Sequence, residues 1–142
     1  MLVAHALGLI FGALAIFCHY EVLRALSSTP LLNVLRTRPR TLLTVFIIFL
    51  AHGLEIWLFS ASLYLSHEVL NLGELQGQFN GGLRDYTYFS AVAYTSLGFG
   101  DIYPTGYLRT IVAYETVTGL LMMAWSAAYT LHFMQRHWED KN

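Results

Sequence analysis

Three stretches of this sequence, Leu2 to Leu26, Thr41 to Ser66 and Leu108 to Met134, are apolar over lengths that reach across a bilayer. A hydrocarbon core of about 30 Å takes about 20 helical residues, and each stretch exceeds that. The first does so only by including His19, Glu21 and Arg24 near its end. In lipid a chain must satisfy its backbone hydrogen bonds internally, so the expected class is an all-α membrane protein. Composition points the same way: 56% of residues are hydrophobic and 12% charged, where soluble domains carry about 25% charged residues. A formal net charge of -1 provides no basic excess to neutralise phosphates, which argues against a nucleic-acid partner. The single cysteine, Cys18, excludes an intrachain disulfide framework.

Ala13-Leu14-Ala15 has the small-x-small pattern of a signal-peptide cleavage site. No positive charge precedes the run, however, and hydrophobic residues continue through the site, so a retained helix over 1–26 fits better. Residues 27–40 form a short basic connection in which Pro30 and Pro39 are expected to stop helices. Arg24, Arg36, Arg38, Arg40, Arg136 and Lys141 fall on one side of a three-span arrangement, with only Arg84 and Arg109 on the other. The positive-inside rule then makes the 27–40 connection and the 135–142 tail cytoplasmic, with the amino terminus and residues 67–107 external. The tail is too short for a soluble regulatory domain.

Between the second and third stretches, Asn71 to Arg84 is glycine-rich and polar and reads as an exposed loop. Asp85 is expected to cap a short apolar helix, Tyr86 to Thr95, which suits a re-entrant element buried in protein. The chain continues Thr95-Ser96-Leu97-Gly98-Phe99-Gly100-Asp101-Ile102-Tyr103-Pro104.

Thr95 to Asp101 resembles the pore signature of the potassium channel family, TVGYGD, for which TxGFGD is a variant in eukaryotic two-pore-domain members. The Asp-x-Tyr-Pro continuation and Gly119 in the following helix also fit. The resemblance implies a small prokaryotic-type pore domain over 41–134: outer helix 41–66, external loop 67–84, pore helix 85–95, filter 95–101 and inner helix 108–134. The first helix is an addition to that unit. Further implications are a homotetramer, because one loop supplies a quarter of a ring, and passive potassium conduction without enzymatic activity. Potassium would be bound at Ser96, Leu97, Gly98 and Phe99, with no cofactor besides the permeant ion. Membrane lipids would surround the protein, in a bacterial inner membrane.

The chemistry has a physical basis. A potassium ion leaving water needs replacement oxygen ligands, and rings of backbone carbonyls supply them without side-chain charge. Gly98 and Gly100 permit the positive φ that aims successive carbonyls at one axis. Ser96 would add a hydroxyl ring at the inner mouth, and Asp101, with Glu68, Glu74 and Asp85, would attract cations outside. The carboxyl end of the short helix would favour a cation at the membrane centre. Leu97 stands where the family usually has valine or isoleucine, Phe99 lacks the tyrosine hydroxyl, and Val92 stands where some members place a glutamate. A softer filter, and hence a nonselective cation channel, is the alternative. No span carries an arginine ladder for voltage sensing.

Ionisable groups inside spans are functional candidates. His52 and Glu55 share a helix face. Counted from the external ends, Glu55 lies about 16 Å deep and Glu115 about 10 Å, so His52, Glu55 and Glu115 are expected to form a coupled proton-binding site; a zinc site of His52, Glu55 and an external ligand has less behind it, because two ligands are too few to specify a metal. The bland alternative for His52 and Glu55 is a satisfied structural pair. His5, His19 and His132 are expected near the interfaces. A haem protein ligated by His19 and His52 is the different-class alternative, but counted from level cytoplasmic ends they lie about 10 and 16 Å deep and match poorly. On the third helix Thr118, Met122 and Ser126, four residues apart, are expected to line an inner cavity, with Gly119 as a hinge.

Overall fold

The computed structural model describes residues 1–28 and 37–138. Its elements in chain order are α1 (Leu2–Ser28), α2 (Thr37–Tyr64), a π-helical turn (Leu65–Val69), β1 (Leu75–Gly77), α3 (Leu83–Tyr94), β2 (Ile102–Pro104) and α4 (Leu108–Trp138). Three helical stretches, Leu2–Ser28, Arg38–Val69 and Leu108–Arg136, are long and apolar enough to cross a membrane. They pack against one another, and α3 is inserted between α2 and α4. Their outward faces are also apolar, with Phe49, Trp57 and Leu121 exposed, as a surface facing lipid or a partner requires.

α1 extends two residues beyond its expected end at 26, and α2 begins before Pro39, a residue expected to stop a helix. α2 begins at Thr37 and carries Pro39 in its first turn, where a missing N–H costs nothing because first-turn donors have no partner within the helix. α1 continues to Ser28, and the Ser27 and Ser28 hydroxyls find partners within it by donating back to the Leu23 and Arg24 carbonyls, both at 2.9 Å. Most of the basic connection, 29–36, and the tail from 139 lie outside the described residues.

α1 joins the bundle through small residues. Ala4, Gly8, Gly12 and Ala15 are buried along one stripe. A Cβ at Gly8 would run into the Tyr114 ring, and one at Gly12 would meet Thr118 Oγ1 at 3.2 Å. This is the close approach that small residues give membrane helices, where burial of apolar surface supplies no drive.

The core falls into three clusters along the bundle. One joins the loop-bearing end and includes Leu63, Leu75, Tyr86, Phe89, Ile102 and Ile111. The middle one gathers Ala15, Phe59, Tyr94 and Met122. At the opposite end, Leu23, Leu26 and Ile48 close the packing. The 71–84 segment is not wholly a loop: β1 pairs antiparallel with β2, Gln76 opposite Tyr103. Three-residue strands are too short to show alternation, so hydrophobic pattern does not reveal this ribbon.

Candidate functional site

α3 starts one turn earlier than its acidic residue suggests. Gly82, in extended conformation, is the residue before the helix, and Asp85 sits inside the first turn. Asp85 is therefore not the N-cap; its carboxylate instead accepts the Asn80 backbone N–H at 2.7 Å. At the other end, the Leu97 N–H donates to the Val92 carbonyl and the Ser96 N–H to that of Ala93, both at 3.0 Å. With Ser96 at φ 56°, this is a Schellman closure in which a left-handed residue satisfies the last helical carbonyls. The Thr95 hydroxyl donates to the Ala91 carbonyl at 2.7 Å.

Left-handed backbone then recurs at every second residue: Ser96 at 56°, Gly98 at 58° and Gly100 at 80°. Extended chain points alternate carbonyls to opposite sides, and reversing φ at alternate residues brings successive carbonyls to one side. Ser96 to Gly100 are exposed, Leu97 at 62% and Phe99 at 65%. Asp101 ends the run under three restraints. Its carboxylate accepts the Tyr88 hydroxyl at 2.8 Å, its carbonyl accepts the Gln78 N–H at 2.8 Å, and Gly77 packs so closely that a Cβ would strike that carbonyl. The Asp101 carboxylate holds the exposed Tyr88 phenol above its usual range. Nearby, burial and then the Glu68 carboxylate push the Tyr86 phenol up, with its hydroxyl donating to Glu68 at 2.7 Å.

Behind this segment, side chains from all four helices close a polar ring. Tyr94, the last residue of α3, donates its hydroxyl to Glu55 Oε2 and lies 2.9 Å from His52 Nδ1. His52 Nε2 is 3.0 Å from Ser126 Oγ, Ser126 Oγ is 3.1 Å from His19 Nε2, and His19 Nδ1 is 2.7 Å from Glu55 Oε1. His19 and Glu55 are 0% and 1% exposed.

This arrangement revises several expectations. His19 is not interfacial, and it stands at the level of His52, with ring centroids 5.2 Å apart. Counting residues from helix ends misplaced them because it took those ends to be level. The haem alternative fails for a different reason: Ser126 Oγ occupies the space between the two Nε2 atoms and leaves no slot for a porphyrin. Glu115 does not join the His52–Glu55 pair. It is buried beside Ser90, whose Oγ is within hydrogen-bond reach of both Glu115 Oε1 and the Ile56 carbonyl. Met122 and Ser126 pack inside the chain, and Thr118 faces α1 at Gly12, so this stripe is not free to line a cavity. The exposed stripe of α4 is Val117, Leu121, Ala124 and Ala128. Gly119 lies in an unbroken helix, where a Cβ would collide with the Tyr94 carbonyl oxygen. Close packing thus gives this glycine a role apart from the expected hinge.

Residue-by-residue reading missed Tyr88 and Tyr94 as site residues, and weighed His19 only as a haem ligand. Spacing within a single helix cannot find a ring assembled from four. The α1 contact did have a signal, the Gly8-x-x-x-Gly12 pattern.

A family model described as "Ion channel" matches residues 40–136. No curated protein and no solved structure matches the chain. The matched span takes in α3, the Thr95–Asp101 segment and nearly all of α2 and α4, which leaves α1 outside it. With more than half of its length matched and three helices able to cross a bilayer, this integral membrane protein belongs to the ion channel family.

Proposed function

We propose that four copies of the chain form a potassium-selective channel, with Thr95, Ser96, Leu97, Gly98, Phe99 and Gly100 of each lining the conduction path. The observation that carries this reading is the left-handed backbone at Ser96, Gly98 and Gly100, which suits consecutive carbonyls for one dehydrated cation path. A single chain offers only one wall of such a path. The exposure of Leu97 and Phe99 fits surfaces that neighbouring copies cover, and the exposed stripe on α4 fits the wall of an inner cavity between copies. In the membrane α3 would enter from outside, its carboxyl end directed at the centre, where the helix dipole favours a cation. Asp101 would stand at the outer mouth. The basic bias of the loops supports an amino terminus outside and a carboxyl terminus in the cytoplasm.

Phe99 favours a specific second reading, a nonselective cation channel, because it lacks the hydroxyl with which a tyrosine can bond behind the carbonyls. Reconstitution in planar bilayers with potassium on one side and sodium on the other separates the two. A reversal potential near the potassium equilibrium value supports the first reading. A value near zero assigns the second.

A further inference from the structure

We propose that the polar ring at the middle of the bundle binds one divalent first-row transition ion of the zinc class, held by His19 Nδ1, His52 Nδ1, the Glu55 carboxylate and the Tyr94 oxygen. The inference concerns the bundle interior and stands whether or not the chain conducts potassium.

Donor chemistry is the first argument. Two imidazoles, a carboxylate and a phenol oxygen make an N2O2 set that suits zinc and its neighbours, and not magnesium or calcium. Geometry is the second. One ligand atom from each of His19, His52 and Glu55 lies within 4.8 Å of the others. His19 Nδ1 is 2.7 Å from Glu55 Oε1, His52 Nδ1 is 3.6 Å from Glu55 Oε2, and Tyr94 Oη is 2.9 Å from His52 Nδ1. Tetrahedral zinc with bonds of about 2.0–2.1 Å spaces its ligand atoms about 3.3 Å apart. These separations lie on either side of that value, and the Tyr94–Glu55 contact is shorter still, so seating the ion requires the Glu55 carboxylate to turn away from Tyr94 while the two imidazoles close on one point.

The surroundings supply the third argument. Histidines that ligate through one nitrogen normally donate the other N–H to an acceptor that fixes the ring. Here both Nε2 atoms meet Ser126 Oγ, at 3.0 and 3.1 Å. A hydroxyl oxygen has two lone pairs and can accept both N–H groups. Trp125 stacks obliquely on His19 at 5.7 Å between centroids and confines its ring. A groove of about 460 Å³ between α2 and α4, lined by Val45, Phe49, His52, Thr130 and Met134, leads to the half-buried His52 edge.

Proton counting defines the exchange. The ring has five hydrogen-bonded contacts, and its electrically neutral form holds five protons, one for each contact. With the ion bound, protons remain on His19 Nε2, His52 Nε2 and Ser126 Oγ. The Tyr94 proton and the one shared by Glu55 and the histidines go to solvent. Two protons leave as one dication enters, so the carboxylate and phenolate balance the ion's charge in a low-dielectric interior. Around the ring, the other acid facing Tyr94 is Glu115 of α4, itself hydrogen-bonded to Ser90 of α3. On α1, Glu21 pairs with Arg24.

The test is a cobalt(II) titration of the purified full-length chain in detergent, followed by zinc displacement. The expected result is one cobalt per chain, with the intense visible absorption of tetrahedral coordination that zinc abolishes. Binding should tighten up to about 100-fold per pH unit while both protons are being released. Ser126→Ala should weaken it about 10- to 100-fold, and His19→Gln or Glu55→Gln more than that. The parent chain decides first, so a variant that fails to fold cannot protect the proposal. A folded, helical parent that takes up no stoichiometric cobalt, or shows only the pale octahedral spectrum, overturns it. Tetrahedral binding that persists undiminished in His19→Gln overturns it too.

Discussion

The Tyr88 hydroxyl donates to the Asp101 carboxylate at 2.8 Å and so ties α3 to the residue that ends the left-handed run. Asp101 is reached only after the backbone has reversed at Ser96, Gly98 and Gly100, a segment with no helix or sheet of its own to hold it. Tyr88→Phe removes the tie while leaving the ring in place. Reconstituted channels carrying it should show a lower potassium-to-sodium permeability ratio and briefer openings than the parent. Unaltered single-channel records would separate the Tyr88 contact from the conduction path.

That bond should also have an alkaline limit. The Asp101 carboxylate raises the Tyr88 phenol above its usual value. A group bound to its proton more tightly in the folded state contributes fully below its unfolded pKa of about 10, and that contribution is lost as pH climbs past it. A difference titration at the phenolate absorbance, parent minus Tyr88→Phe, should show one tyrosine ionising later than a free phenol. A midpoint at or below that of a free phenol contradicts the assignment.

Gly119→Ala should destabilise the fold by about 1–3 kcal/mol, the usual cost of forcing extra volume into a packed contact. The new methyl meets the Tyr94 carbonyl, a backbone atom that cannot rotate away. Thermal unfolding followed by circular dichroism in detergent checks this. If Gly119 served only as a hinge, the melting temperature would hold and only the gating would change.

Gly8→Leu should separate α1 from α4, because its side chain would occupy the place of the Tyr114 ring. Engineered cysteines at Gly12 and Thr118 in a Cys18→Ser background should crosslink in the parent, where a Cβ at Gly12 would lie 3.2 Å from Thr118 Oγ1, and lose most of that yield in the variant. Equal yields would show that α1 docks by another face.

Thiol labelling distinguishes the two faces of α4. Cysteine at Ala124, on the exposed stripe, should react with a small water-soluble reagent applied from the cytoplasmic side of open channels. Cysteine at Ser126, buried against His19 and His52, should not. Reversed reactivity would restore Thr118, Met122 and Ser126 to the cavity wall.

The long helices were legible because length and apolarity alone require them, whatever packs beside them. The reversal at Gly98 and Gly100 was legible too, since few residues other than glycine accept that backbone. Contacts between helices were a different matter. Thr118, Met122 and Ser126 share a face at spacings of four, but periodicity does not say whether that face meets water or α1. His19 looked peripheral because its position was counted along one helix, whereas its environment is set by Glu55 and Ser126 on two others. Ser96 held a double meaning. Its left-handed backbone both ends α3 and begins the alternating run, and only coordinates separate those two tasks.

The ribbon formed by β1 and β2 has a mechanical consequence. Residue 101 is held through its side chain by Tyr88 and through its carbonyl by Gln78, while Gly77 leaves no slack against the same carbonyl. The exposed Tyr88 hydroxyl can swing away by itself, whereas the other two restraints act on backbone. The carboxylate of Asp101 is thus steered by one side chain, but its carbonyl moves only if the edge of the ribbon moves with it.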